Sequence, residues 1–167
     1  MKRMVLAIFV RNTSGVLTRV TSLFSRRGYN IDSLTVGETL DPGTSRITVT
    51  FTGDELMCSQ IKKQVEKLID VIEIIDLTQT EAVYRELVLV KVSADPQSRA
   101  SVIEIANVFR AKIIDIASQT VVMELTGDSS KTNAFVEILK PYGIIELIKT
   151  GLTGVVRGSA SFGGVDV

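Results

Sequence analysis

The stretch Val5–Val36, VLAIFVRNTSGVLTRVTSLFSRRGYNIDSLTV, decides the fold. Its opening belongs to a continuous apolar run, Met4 to Val10, which predicts a central strand covered on at least one face. Asn12-Thr13-Ser14-Gly15 is a short polar loop. After it Val16, Leu17, Val20, Leu23 and Phe24 recur at helical spacing, with Arg19, Arg26 and Arg27 on or near the opposite face. Gly28 predicts the helix C-cap, and a second strand is expected from about Asn30 to Glu38. A strand that runs straight into a helix leaves unpaired N–H groups and the positive end of the helix dipole at the loop. That is a natural seat for a small anion such as a carboxylate.

Downstream, Asp41-Pro42-Gly43-Thr44 signals a turn. The third strand alternates: Ile47, Val49 and Phe51 are expected inward, and Arg46, Thr48, Thr50 and Thr52 outward toward solvent or a partner. Asp54 is a candidate N-cap for a helix with buried Ile61, Val65 and Leu68, and Val71 to Leu77 reads as a fourth strand. The order βαββαβ is a split βαβ unit in which helices cover one face of an antiparallel sheet. It then repeats: a strand Leu87–Val92, a helix Arg99–Phe109, a hairpin Lys112–Ala117 and Thr120–Thr126, a helix Lys131–Lys140 stopped by Pro141, and a strand Ile144–Lys149. Two short matches fall in one register to within a residue: Thr52-Gly53-Asp54 with Thr126-Gly127-Asp128, and Ile72-Glu73 with Ile145-Glu146. The fold class expected is α+β, two tandem ferredoxin-like domains. Residues 1–78 form the first, 79–83 a linker, 84–157 the second and 158–167 a flexible tail of linker composition.

Composition narrows the function. Nineteen basic and nineteen acidic residues cancel, so no global field favours nucleic acid or an anionic membrane. The single Cys58 allows no internal disulfide and suggests a reducing compartment. The N-terminal apolar run is interrupted by Arg11 with no cleavage site after it, and no run is long enough to span a membrane, so a soluble cytoplasmic protein is expected. With no His, neither a Ser–His nor a Cys–His nucleophile can form, and no carboxylates converge at catalytic spacing. We expect no catalytic residue, no metal site and no cofactor in this chain. An RNA-binding domain shares the βαββαβ order, but it carries stacking aromatics on strands 1 and 3, where this chain offers Thr48 and Thr50 outward.

Singly, Asn12, Gly15 and Asn30 are explained by turn and cap chemistry. Together they suggest a ligand site. Gly15 lets a carboxylate approach the N–H groups of Gly15, Val16 and Leu17; Asn12 and Asn30 offer neutral acceptors for an ammonium; Leu17, Ile31 and Val36 offer a small aliphatic wall. Those groups add up to a branched-chain amino acid.

The run Asn12-Thr-Ser-Gly-Val-Leu-Thr-Arg-Val20, followed by Leu23-Phe-Ser-Arg-Arg-Gly-Tyr-Asn-Ile-Asp-Ser-Leu-Thr-Val36, resembles the small regulatory subunit of acetohydroxyacid (acetolactate) synthase, whose N-terminal domain is an ACT domain. Leu89-Val-Lys-Val92, Phe109-Arg-Ala-Lys-Ile-Ile-Asp115 and Thr126-Gly-Asp128 are similar to that family's C-terminal domain, so the resemblance covers Lys2 to Arg157. It implies a partner, the catalytic large subunit, which uses thiamine diphosphate, Mg²⁺ and often FAD. It further implies that the small subunit activates that partner and confers feedback inhibition by L-valine, bound between two edge-joined ACT domains of a homodimer. Carried over, one chain would contribute Asn12, Ser14, Gly15, Val16 and Leu17, and the other Asn30, Ile31 and Val36. Ser14 departs from the Pro common before this Gly in ACT domains. A free-standing ACT-type amino-acid sensor acting on some other partner is the alternative reading.

Overall fold

The computed structural model describes residues 2–158, so the expected tail after Gly158 lies outside the described residues. The chain divides into two compact units, residues 2–83 with a returning segment from Leu152, and Tyr84–Gly151. In the first, β1 (Lys2–Arg11), α1 (Val16–Arg26), β2 (Ser33–Glu38), β3 (Thr44–Gly53), α2 (Glu55–Val65) and β4 (Val71–Asp76) follow the expected order. Their antiparallel sheet runs β2-β3-β1-β4. The second repeats it as β5 (Ala82–Ser93), α3 (Arg99–Phe109), β6 (Lys112–Ile116), β7 (Thr120–Gly127), α4 (Ser129–Leu139) and β8 (Ile144–Lys149), in the order β6-β7-β5-β8. The returning segment carries a short β9 (Thr153–Val156).

The duplication extends to detail. Asp54 accepts from the Met57 N–H and Asp128 from the Lys131 N–H, each at 2.8 Å, so both Gly-Asp pairs start a helix with the same cap. A Cβ on Gly53 would collide with Met57 Sδ, and on Gly127 would stand 2.9 Å from Lys131 Cδ, so the glycine ahead of each cap makes room for the first turn. Both outer strands carry a bulge at the matching place: β4 skips Ile72 opposite Phe9–Val10, and β8 skips Ile145 opposite Lys91–Val92.

In the first unit Met4, Leu6, Ile8 and Val10 of β1 pack with Val16, Val20 and Phe24 of α1, Ile47, Val49 and Phe51 of β3, and Cys58, Ile61 and Val65 of α2. Gly28, at φ 66°, ends α1 as expected: its N–H reaches the Ser25 carbonyl and that of Tyr29 the Phe24 carbonyl, a Schellman closure. Strand β2 begins at Ser33 rather than Asn30, and β4 ends at Asp76, whose carboxylate takes the Thr78 N–H and turns Leu77–Gln79 into a 3₁₀ turn.

One expectation is corrected. Thr48 and Thr50 are buried, so this part of the sheet's second face does not meet solvent. Ser33 and Thr50 share a 2.7 Å hydroxyl hydrogen bond. The returning chain lies against the same hydroxyls: Leu152 N–H donates to Ser33 Oγ at 3.2 Å, Thr35 Oγ1 donates to the Leu152 carbonyl at 3.1 Å, and Arg46 donates to the Gly154 carbonyl. A further bond, Arg157 N–H to the Glu81 carbonyl at 2.8 Å, fixes its end. Residues 152–158 therefore group by their contacts with the first unit.

In the second unit Val88, Val90 and Val92 pack with Val102, Ala106, Met123, Leu125, Phe135 and Leu139. Glu86 is buried beside the start of α4. It accepts from Thr132 and, at 3.3 Å, Ser129, and pairs with Lys149 at 3.1 Å. Burial raises its carboxyl pKa, but these donors outweigh burial and hold it below the ordinary 4.5.

Two outcomes follow. Leu152→Ala truncates a buried anchor and should lower the denaturation midpoint by the equivalent of about 2–4 kcal/mol. Glu86 has a depressed folded-state pKa, so its stabilisation is present above pH 4.5 and lost as pH falls through the lowered value. Denaturation midpoints taken across that acid window should be flatter in Glu86→Gln, which is less stable than the parent at pH 7.

Candidate functional site

Strand β1 delivers the chain to the loop and α1 carries it away. Asn12 N–H donates to the Gly43 carbonyl at 2.7 Å, Thr13 N–H to the Arg11 carbonyl at 2.8 Å, and Val16 N–H to the Thr13 carbonyl at 3.3 Å. The Asn12 side-chain amide donates to Glu38 Oε1 and the Pro42 carbonyl, both at 3.0 Å. It thus ties the loop to the β2–β3 turn rather than capping the helix. This turn is stiffened by Asp41, whose carboxylate accepts from Gly43 N–H and Thr44 Oγ1, the two bonds that lower its pKa in that order of weight.

Gly15 occupies the residue ahead of α1 at φ 82°, ψ −4°, a left-handed conformation that favours glycine, and no side chain caps the helix there. The first-turn N–H groups of a helix lack intrahelical acceptors, so this end offers donors and positive potential to an anion. Asn12, Ser14 and Gly15 are exposed, Val16 turns into the core, and Leu17 stays 37% exposed. Val36, 48% exposed, sits on β2 two residues before the Glu38 that Asn12 grips, so it lies toward the loop end of its own chain.

Asn30 and Ile31 do not join them. They follow the far end of α1, an eleven-residue helix and therefore about 16 Å long. Asn30 is exposed, with its amide toward Asp32 Oδ1 at 3.3 Å, and Ile31 is half-buried against the core. One chain thus gathers Asn12, Ser14, Gly15, Val16, Leu17 and Val36 toward one end of the sheet, and Asn30 and Ile31 at the other. Strand β2 forms an edge of the sheet, with one side of its backbone unpaired within it.

Two neighbours of the loop escaped the sequence reading. Arg19, placed there on the wet face, forks onto Asp70 with Nε and Nη2 at 2.8 and 2.7 Å from Oδ2. Its position four residues after Gly15 was the available signal, because helical side chains lean toward the N-terminus. Asp70 also receives the Arg11 N–H on its backbone carbonyl at 2.8 Å and the Thr13 hydroxyl on Oδ1 at 3.5 Å. Nothing local in the sequence pairs it with either.

Away from this end, Cys58 is buried on α2, with Sγ 3.6 Å from Asp76 Oδ2. Burial, then the Asp76 charge and hydrogen bond, push its thiol from 9.0 up to about 11. Among the described residues no three His, Cys, Asp or Glu side chains group as a metal site, and no helix is long and apolar enough to cross a membrane.

The fold and this loop define a protein class: tandem ferredoxin-like units, the first built as an ACT domain. Residues 6–73 match the family described as AHAS small subunit-like ACT domain, and 85–158 the family described as small subunit of acetolactate synthase. A probable acetolactate synthase small subunit of Archaeoglobus fulgidus is 44% identical over 92% of this chain and 96% of its own. The acetolactate synthase small subunit of Bacillus subtilis is 44% identical over 95% and 92%. The crystal structure of the Thermotoga maritima small subunit superposes with a TM-score of 0.88 at 34% identity, covering 96% of this chain and all of that one. The chain belongs to the acetolactate synthase small-subunit family, as a regulatory subunit with an ACT domain.

A raised, buried thiol is a poor nucleophile. At pH 8 about one Cys58 in a thousand is thiolate, so iodoacetamide should label the native chain far more slowly than the chain unfolded in guanidinium. Equal rates would contradict the burial.

Proposed function

We propose that two copies join through their ACT units to bind L-valine, and that this binding sets the activity of a catalytic large subunit. The large subunit is activated by the association and inhibited when valine is bound. The observation that supports this reading is the separation of the residue set. Asn12, Ser14, Gly15, Val16 and Leu17 stand about one helix length from Asn30 and Ile31, so a compact ligand can meet both groups only if a second copy supplies one of them. The unpaired edge of β2 and the exposed Leu17 and Val36 suit such a neighbour. Val36 stands nearer its own loop than Asn30 does, so either chain could provide that wall.

The chemistry follows from the groups present. A carboxylate meets first-turn N–H groups at Gly15, an ammonium meets side-chain carbonyl oxygens of Asn12 and Asn30, and a short branched side chain meets Leu17, Ile31 and Val36. Thiamine diphosphate, Mg²⁺ and FAD belong, in this reading, to the large subunit alone. A ligand held between two chains gains or loses affinity with their mutual orientation. If the large subunit favours one orientation, valine shifts its activity by the difference, typically about 1–3 kcal/mol for such couplings.

Calorimetric titration of the purified chain with L-valine, with D-valine and L-lysine as controls, tests the site. Saturable, stereospecific binding near one valine per chain is expected. Reconstitution with a large subunit, with and without valine, then tests activation and feedback; valine binding without any effect on that enzyme would favour a sensor of some other partner. Gly15→Asp should abolish valine binding, because it sets a carboxylate where the ligand's own must sit and strains a left-handed residue whose Cβ would meet Arg19 Nη1 at 3.1 Å. Asn30→Ala should weaken binding by a neutral hydrogen bond, about 0.5–1.5 kcal/mol.

A further inference from the structure

We propose that Arg19 anchors the effector's carboxylate and that Asp70 is its positioning residue. The proposal rests on the effector reading above and names the side chain that makes the loop select an acid over its neutral analogues.

The geometry starts with the helix. Side chains lean toward the N-terminus, so the Arg19 head group lies over the turn that holds Gly15, and the Arg19 N–H donates to the Gly15 carbonyl at 3.0 Å. Asp70, whose side chain is only 13% exposed, holds the guanidinium by Nε and Nη2. The remaining nitrogen, Nη1, points elsewhere: it stands 3.1 Å from the place a Cβ on Gly15 would occupy. Among the described residues it has no acceptor. A guanidinium presents five N–H groups in a rigid fork, so one edge can be spent on Asp70 while the other stays open to a second carboxylate.

Two features make this more than a surface ion pair. Asp70 is itself fixed to the loop, through the Arg11 N–H on its carbonyl and the Thr13 hydroxyl on its carboxylate, so the open edge is aimed by the same segment that forms the seat. Electrostatics also point outward. A cation beside the first turn of a helix faces the like-signed end of the dipole, the reverse of the favourable arrangement. Asp70 offsets part of that, and an arriving carboxylate offsets the rest. The missing side chain at Gly15 is what leaves the open edge accessible; an added Cβ would stand in front of Nη1.

The test compares L-valine with L-valinamide, which keeps the ammonium and the side chain but carries no carboxylate. Both are titrated into the full chain in its parent form and as Arg19→Gln, Arg19→Lys, Asp70→Asn and Arg19→Gln/Asp70→Asn, each checked for folding by its thermal transition. Loss of a charge-assisted hydrogen bond predicts that Arg19→Gln weakens valine about 10-fold or more and changes valinamide less than about 2-fold. Arg19→Lys, which keeps the charge but not the fork, should recover only part of the affinity for valine. Asp70→Asn should weaken valine in the parent and add nothing in the Arg19→Gln background, as a residue acting through Arg19 must. The proposal is overturned if Arg19→Gln binds valine as the parent does, or if it loses valine and valinamide in equal proportion, which a purely structural clamp would do. A parent chain that binds no valine overturns the effector reading itself.

Discussion

Burial of β1 on both faces is the constraint on which the first unit depends. All seven residues from Met4 to Val10 are no more than 4% exposed. The even-numbered members, Met4, Leu6, Ile8 and Val10, face the two helices, and this half of the burial is the ordinary work of a split βαβ unit. Val5, Ala7 and Phe9 point the other way and need a cover other than the two helices. Part of it comes from Arg46, which lies over the Phe9 ring at 5.3 Å and reaches the returning chain at Gly154. The 3₁₀ turn after β4 supplies another part, where Thr78 Oγ1 accepts the Val5 N–H at 2.8 Å and Leu77 is fully buried. The second unit is an insertion in the chain of the first: the chain leaves at Val83 and comes back at Leu152, whose backbone meets the Ser33 and Thr35 hydroxyls.

That insertion explains which parts of the fold were legible. Helix and strand periods, the Asp54 cap and Gly28 are local signals, and α3 and β8 fall on their expected bounds. The burial of Thr48 and Thr50 is not local. Threonines alternating with Ile47, Val49 and Phe51 are what a solvated sheet face looks like, and the local pattern does not announce that Leu152, more than a hundred residues later in the chain, meets Ser33 and Thr35 on the neighbouring strand. A run of hydroxyls tolerates this because Ser33, Thr35 and Thr50 find partners in one another and in the returning backbone. The site was half legible for a similar reason. Its residue types could be read as a list, but the distance between Asn12 and Asn30 is set by the length of α1 and the sheet order, which the list does not contain.

The duplication offers an internal comparison for the loop. In the second unit the chain again leaves its central strand and enters a helix, through Ala94-Asp95-Pro96-Gln97-Ser98. There Asp95 Oδ1 accepts the N–H groups of Gln97 at 3.0 Å and Ser98 at 2.7 Å, and the Ser98 hydroxyl at 2.8 Å. These bonds, the Ser98 ones foremost, lower the Asp95 pKa and keep a carboxylate of the chain's own at the entrance to α3. The first unit has nothing comparable: Ser14 and Gly15 bring no acid, and α1 starts without a side-chain cap. Two units of one topology thus resolve the same electrostatic problem differently. The second is closed by a side chain of its own, while at the first the Val16 N–H meets the Thr13 carbonyl and no side chain caps the helix. On that comparison the proposed effector role suits the first unit, through Gly15, Arg19 and Asp70. In the second unit Asp95 already sets a carboxylate at the corresponding point, so the proposed valine site predicts one valine per chain rather than two.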